Sequence, residues 1–217
     1  MDKIFGYDSP IIQTINKIVD CVIVSILWVL FSIPIITFGA STTAFYYTVN
    51  KVIRHHRSHV FREFWGSFKS TFKQSTIVWL ILLVLYYVLG VDCYFVYLKA
   101  VEGTMSIYFM APFAITLVLV LIWSIYVFGT IARFQNDLKT IMKNSAFLLI
   151  RHLLRSILLV VVLAAAVLVF MFVPISIVIL PTVCMFLITV ILESIFQRYM
   201  TEEDLATEAE RNQTYYV

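Results

Sequence analysis

Residues 156–192 read SILLVVVLAAAVLVFMFVPISIVILPTVCMFLITVIL and include no Asp, Glu, Lys or Arg. As one helix, these 37 residues would measure ~55 Å, well beyond the ~30 Å hydrocarbon core of a bilayer. Pro174 and Pro181 lie inside the run, and proline does not continue a helix cleanly. The run therefore predicts a tight hairpin of two membrane spans, residues 157–173 and 182–196, that turns through PISIVILP.

Three further stretches of the chain also lack charged side chains. They cover residues 21–50, 74–91 and 103–132. A helix needs about 20 apolar residues to cross the hydrocarbon core, and it satisfies its backbone hydrogen bonds internally, as lipid requires. We therefore expect an all-α, polytopic transmembrane helix bundle of about five spans. The remaining spans are predicted at residues 21–38, 75–92 and 107–132.

The composition agrees with a membrane protein and excludes an ordinary soluble domain. Of the 217 residues, 61% are hydrophobic and 13% are charged, whereas about 25% are charged in a typical soluble domain. No apolar stretch precedes Cys21, so no cleavable signal peptide is predicted and the first span is expected to stay as an anchor. Cys21, Cys93 and Cys184 form no CxxC pair, which favours free thiols over a disulfide framework or a zinc site.

The distribution of Lys and Arg predicts how the chain is oriented. The loops 39–74 and 133–155 and the segment after the last span contain thirteen of these residues, and the opposite side contains three. Positive charge favours the cytosolic side of a membrane. We therefore expect a multi-pass protein of the cell membrane with both long loops and the C terminus in the cytosol. The N terminus is then outside, and residues 201–217 form an acidic, polar cytosolic tail.

The long basic loops have the periodicity of amphipathic helices that lie on the cytosolic side of the membrane. They are predicted at residues 41–54, 61–73 and 136–153. In the second helix, aromatic rings recur every three or four residues beside two lysines, a pattern typical of an interfacial helix that contacts anionic lipid headgroups. The predicted membrane-interface stripe consists of Phe61, Phe64, Trp65, Phe68, Phe72, Lys69 and Lys73.

A helix break is predicted directly after the first span. Pro34 and Gly39 weaken the helix there, and Ser41 or Thr42 could cap a new helix that runs to Arg54. The break could be an unwound binding segment of the kind that transporters use. Because it lies near the cytosolic edge of the span, a simple corner of the chain is the favoured interpretation.

Glu193 is the acid that lies deepest in an apolar segment. Ionisable groups in such segments face the bundle interior or pair with a cation, and Arg133 ends the third predicted span on the same side. We therefore predict an intramembrane ion pair between Glu193 and Arg133. Proton or substrate coupling through Glu193 is the functional alternative.

Motifs of known chemistry do not emerge from the sequence. His55 and His59 have the i, i+4 spacing that two metal ligands can use, but the HExxH arrangement is absent, so a solvated basic loop is favoured. Nucleotide-binding and hydrolase motifs are absent as well. The basic loops are explained by lipid headgroups rather than by nucleic acid. The sequence predicts no enzyme and no catalytic, cofactor-binding or metal-binding residues.

Several short motifs follow one another in a characteristic order. They are Asn16-Lys17, Trp28-Val-Leu-Phe-Ser-Ile-Pro34-Ile-Ile-Thr37-Phe-Gly39-Ala40-Ser-Thr-Thr43-Ala44, Phe61-x-x-Phe64-x-x-Ser67-Phe68-Lys69-x-x-Phe72-Lys73-Gln74, and Lys143-Asn144 with Arg151-His152. In this order they resemble the YesL-like bacterial integral membrane proteins. Members of that family have no established activity, and their genes often neighbour those of carbohydrate ABC uptake systems.

The resemblance implies an accessory role in sugar acquisition. We expect a non-enzymatic accessory or assembly partner of a carbohydrate uptake system, with carbohydrate ABC transporter subunits or further copies of this chain as protein partners. The alternative is a small oligomeric membrane transporter or channel. It would require Glu193 and Asp20 to face a polar cavity.

Overall fold

The computed structural model describes residues 10–54, 59–103, 106–134 and 136–200, and every regular element in these ranges is helical. The α-helices are α1 (Pro10–Ser32), α2 (Phe38–Thr48), α3 (Val60–Val101), α4 (Met110–Arg133), α5 (Leu138–Arg151), α6 (Leu153–Phe172) and α7 (Leu180–Phe196). Short 3-10 helices occupy Ile35–Thr37, Ile107–Phe109 and Pro174–Val178, and a π-helical segment, Val49–Arg54, continues α2. The expected all-α fold is confirmed.

Four helices are long and apolar enough to cross a membrane. They are α1 from Thr14 onward, α3, α4 and α6. The apolar helix α7 has 17 residues and is therefore ~25 Å long, slightly less than the ~30 Å hydrocarbon core. The chain is a helical membrane bundle with four candidate spans and one shorter apolar helix in the part that the structure describes.

The longest uncharged run forms two helices joined by a 3-10 helix. α6 ends at Phe172, and α7 begins at Leu180. Pro174 and Pro181 each lie in the first turn of a helix, where the missing N–H has no intrahelical partner to lose. The two prolines therefore separate the helices without disturbing either interior.

The predicted interfacial helix 61–73 is wrong as a separate element. It is the first part of α3, a continuous helix of 42 residues that is ~63 Å long and also contains the predicted span 75–92. Residues 67–89 contain neither Gly nor Pro, so nothing interrupts the backbone hydrogen bonds where the sequence changes from polar to apolar.

The break after the first span begins earlier than predicted. α1 ends at Ser32, two residues before Pro34, so the predicted span 21–38 is too long at its end. α2 begins at Phe38 rather than at residue 41, and its first turn has no side-chain cap. Because Ser41 lies inside α2, its hydroxyl is not a cap and donates instead to the Trp28 carbonyl, at 3.0 Å.

Gly39 lies inside α2 and not in the break, contrary to the prediction. A Cβ at this position would be 2.5 Å from the Cβ of Trp79 and 2.7 Å from the Ser75 carbonyl oxygen. One helical turn later, the hydroxyls of Thr43 and Ser75 lie 2.9 Å apart. The glycine is therefore required because α2 and α3 cross with their backbones almost in contact.

Contacts between the helices place several helix ends together at one end of the bundle. α3 and α4 run antiparallel, since Tyr86 contacts Ser124 while Gln74 donates to the carbonyl of Asn136. α7 ends beside the end of α4, and Tyr199 beyond it contacts His152 at the start of α6. This end of the bundle, where α1, α4 and α7 finish and α3 and α6 begin, is called the basic end below. It carries Lys51, Arg54, Arg62, Lys69, Lys73, Arg133, Lys139, Lys143, Arg151, Arg155 and Arg198.

α6 lies at the periphery of the bundle. Its buried residues are Ser156 and Leu159, whereas Leu154, Met171 and Phe172 are each more than two-thirds exposed. In water an apolar surface of this size would drive association, but in a bilayer it faces lipid. The outward face of α6 is therefore suited to contact with acyl chains.

Candidate functional site: a buried polar cluster at the basic end

A buried carboxylate lies at the centre of the basic end. Glu193, near the end of α7, is 1% exposed, and its Oε2 lies 3.2 Å from Nη2 of Arg133 at the end of α4. Its Oε1 accepts hydrogen bonds from the Tyr46 hydroxyl at 3.2 Å and from Nδ2 of Asn50 at 3.0 Å. The structure thus brings the predicted ion pair together and adds two neutral donors.

The four side chains come from α2, its π-helical continuation, α4 and α7. Tyr46 in α2 and Asn50 in the π-helical segment are four residues apart, so both point from one face of the chain toward α7. Gly129, one turn before Arg133, allows α7 to approach α4, because a Cβ there would be 2.9 Å from Cδ1 of Leu192. The cluster therefore joins α2, α4 and α7 at their ends.

Electrostatics favours a charged Glu193 in this setting. A buried carboxylate is expensive unless charge-assisted hydrogen bonds replace its hydration, and here a guanidinium and two neutral donors do so. Burial raises the pKa of the Tyr46 hydroxyl well above its ordinary value, and the negative charge of Glu193 raises it further. Tyr46 therefore remains a neutral donor at any physiological pH.

The geometry of the cluster is that of a structural contact that holds helix ends together. Both Glu193 oxygens are engaged by donors from neighbouring helices, and the group is almost fully shielded from solvent. A carboxylate that exchanges protons or binds a substrate must be reached by water or by that substrate. The geometry thus favours a lock between helix ends over a coupling site.

The predicted membrane-interface stripe is divided between the core and the surface. Phe64 is 0% exposed and Phe68 is 8% exposed, and their rings pack on Phe31 of α1 at 5.6 and 5.1 Å. Placing these two rings at the acyl boundary was therefore wrong, since α1 covers them. Phe61, Trp65 and Phe72 remain exposed, and Lys69 and Lys73 are exposed on the same part of α3.

The predicted helix break at Pro34 forms a tightly bonded corner. The Thr37 hydroxyl donates to the Phe31 carbonyl at 2.7 Å, and the indole N–H of Trp79 donates to the Ile35 carbonyl at 2.6 Å. These bonds satisfy carbonyls that the end of a helix leaves without partners. The corner thus uses its polar groups internally.

The histidine cluster of the sequence lies largely outside the described residues. His55 and His56 fall between the ranges 10–54 and 59–103, whereas His59 precedes α3 in the left-handed conformation. In the described part of the chain, no three His, Cys, Asp or Glu side chains are grouped in a way that could hold a metal ion. The polar cluster around Glu193 is therefore the candidate site that the geometry supports.

His152 should make the stability of the protein depend on pH. Burial lowers the pKa of its imidazole, and the guanidiniums of Arg155, Arg198 and Arg151 lower it further. Because the unfolded chain then binds a proton more readily, stability should be unaffected above pH 6.5 and should fall as the pH drops below it. We expect the melting temperature in detergent to fall between pH 7.5 and pH 5.5, and to fall less in His152→Gln. An equal fall in both proteins would contradict this assignment.

Known proteins resemble the chain over one part of its length. Residues 21–93 match the model of a family described as "Protein of unknown function, DUF624". The match begins in α1 and ends in α3, so it includes Tyr46 and Asn50 but neither Arg133 nor Glu193. No curated protein and no solved structure matches the chain. Over 73 of its 217 residues, the chain is thus similar to a family of proteins of unknown function.

Proposed function

We propose that the protein is a non-enzymatic accessory or assembly partner of a carbohydrate uptake system in the cell membrane. The long basic loops and the C terminus lie in the cytosol in this proposal, and the N terminus lies outside. The resemblance to YesL-like proteins supports the role, because genes of that family often neighbour those of carbohydrate ABC transporters.

The closed cluster around Glu193 is the observation that carries the proposal. The buried charge is engaged by Arg133, Tyr46 and Asn50, which favours a structural role over the coupling that a transporter requires. Because the buried ion pair has a structural role in this proposal, the protein binds its partners through its outer surface.

The exposed part of the aromatic stripe is a surface suited to a protein partner. Phe61 is 58% exposed, and Trp65 and Phe72 are each more than one-third exposed. Lys69 Nζ lies 5.8 Å from the centre of the Trp65 ring, within the range of a cation–π contact. Aromatic residues beside a cation are typical of positions that dominate binding energy in protein interfaces.

Affinity purification of the tagged full-length protein in a mild detergent tests this proposal. We expect the membrane subunits of a carbohydrate ABC importer to co-purify. The triple variant Phe61→Ala, Trp65→Ala and Phe72→Ala should reduce their recovery about tenfold, as the loss of ~1.4 kcal/mol of binding energy implies.

The matched control is the variant Tyr94→Ala and Tyr108→Ala, which removes exposed aromatic rings away from the stripe. It should leave the recovery of the importer unchanged. Isolation of the protein as a homo-oligomer without importer subunits would refute the accessory role and favour the transporter alternative.

A further inference from the structure

Three of the arginines at the basic end lie where α5, α6 and the residues after α7 meet. Arg151 ends α5, Arg155 lies in the first turn of α6, and Arg198 follows the end of α7. Arg151 and Arg155 flank His152 in the chain, and Arg198 directly precedes Tyr199. His152 Nε2 lies 3.0 Å from the Tyr199 hydroxyl, so this contact fastens the residues after α7 to the start of α6.

Among the described residues, no carboxylate is paired with this group: no ion pair joins Arg151, Arg155 or Arg198 to an acidic side chain. Arg151 lies over the rings of Phe147 and Tyr199, at 5.6 and 5.7 Å. In the described part of the chain, the buried Nη1 of Arg155 makes no hydrogen bond. Arg151 and Arg198 are exposed and Arg155 is half-buried, so an anion at the surface can approach this group without breaking an ion pair among the described residues.

An apolar surface continues from the cations along α6. Leu154 is 85% exposed, and Ile157, Leu158 and Val161 are each about half exposed. α6 is a candidate membrane span that starts at Leu153, so the cations lie where a bilayer has its headgroups. A ligand that fits both surfaces has an anionic head and apolar chains.

We propose that Arg151, Arg155 and Arg198 bind the phosphate of an anionic phospholipid whose acyl chains lie along the exposed face of α6. Guanidiniums match phosphate oxygens through paired hydrogen bonds, and three of them exceed the charge of one phosphodiester. The apolar face of α6 favours a phospholipid over a soluble anion. The acyl chains of a phospholipid would cover this face, whereas a soluble anion would contact the arginines alone.

Native mass spectrometry of the purified full-length protein tests the site. The protein in detergent is titrated with phosphatidylglycerol, or with phosphatidylcholine of the same acyl chains, and the retained lipid is counted. We expect preferential retention of phosphatidylglycerol. The variant Arg151→Gln and Arg198→Gln should reduce that retention about tenfold, a loss of ~1.4 kcal/mol. Both side chains are exposed, so the variant should fold, and elution as a single symmetric peak verifies this.

Three controls separate this site from general attraction to a basic surface. The variant Arg62→Gln and Lys139→Gln removes the same charge from α3 and α5 and should leave lipid retention unchanged; an equal loss would refute the proposal. Displacement of the lipid by an excess of inorganic phosphate would also refute it. Deletion of residues 201–217 should have no effect, whereas lipid binding that appears only after this deletion would identify the acidic tail as the occupant instead.

Discussion

Replacing Arg133 by Ala should lower the free energy of unfolding by about 3–5 kcal/mol, the usual effect of removing one partner from a buried ion pair. The guanidinium lies 3.2 Å from a carboxylate that is 1% exposed. Without the guanidinium, the buried negative charge of Glu193 loses its cationic partner. The hydrogen bonds from Tyr46 and Asn50 come from neutral groups and do not balance that charge. Equilibrium unfolding of the protein in mixed detergent micelles, followed by circular dichroism, measures the loss.

A double variant distinguishes loss of the ion pair from loss of packing. Arg133→Met combined with Glu193→Leu removes both charges, so it should be more stable than either single variant. Lys99→Ala is the matched control, because Lys99 and Glu102 form an exposed ion pair at 2.8 Å, and exposed pairs contribute little. Equal destabilisation by Arg133→Ala and Lys99→Ala would show that the buried cluster does not hold the helices together.

The membrane class and the approximate positions of the helices could be predicted from the uncharged runs. Lipid leaves a long apolar segment few options besides a helix, so run length is informative. The ends of helices depend on weaker local effects. α3 continues through residue 74, because the change from polar to apolar side chains there does not interrupt the backbone hydrogen bonds of the helix. The composition changes at the same point, so the sequence predicts two separate helices.

Half of the candidate site was accessible from the sequence. A lone acid near the end of an apolar run requires a cation at the same depth, and this requirement identified Arg133 as the partner of Glu193. Tyr46 and Asn50 were missed, because neutral polar residues in an apolar run have many possible roles. Their spacing of four residues, one helical turn, is the available signal.

The aromatic stripe shows that periodicity identifies an apolar helical face but not what covers it. The spacing of Phe61, Phe64 and Phe68 correctly indicates an apolar helical face, but a face covered by lipid and a face covered by another helix have the same period. The position of α1 decides between them, since Phe31 contacts Phe64 and Phe68. Phe31 lies in the last turn of α1, which ends six residues before the predicted end of the first span.

Phe64→Ala should therefore lower the free energy of unfolding by about 3–5 kcal/mol, the usual effect of truncating a buried Phe. Phe64 is 0% exposed and its ring packs on Phe31 at 5.6 Å, so the substitution leaves a cavity between α1 and α3. Phe61→Ala is the matched control on the same helix, and it should have a much smaller effect because Phe61 is 58% exposed. The measurement is the same unfolding transition in mixed micelles. Small losses in both variants would mean that both rings contact lipid, as the periodicity alone predicts, and that α1 does not cover this part of α3.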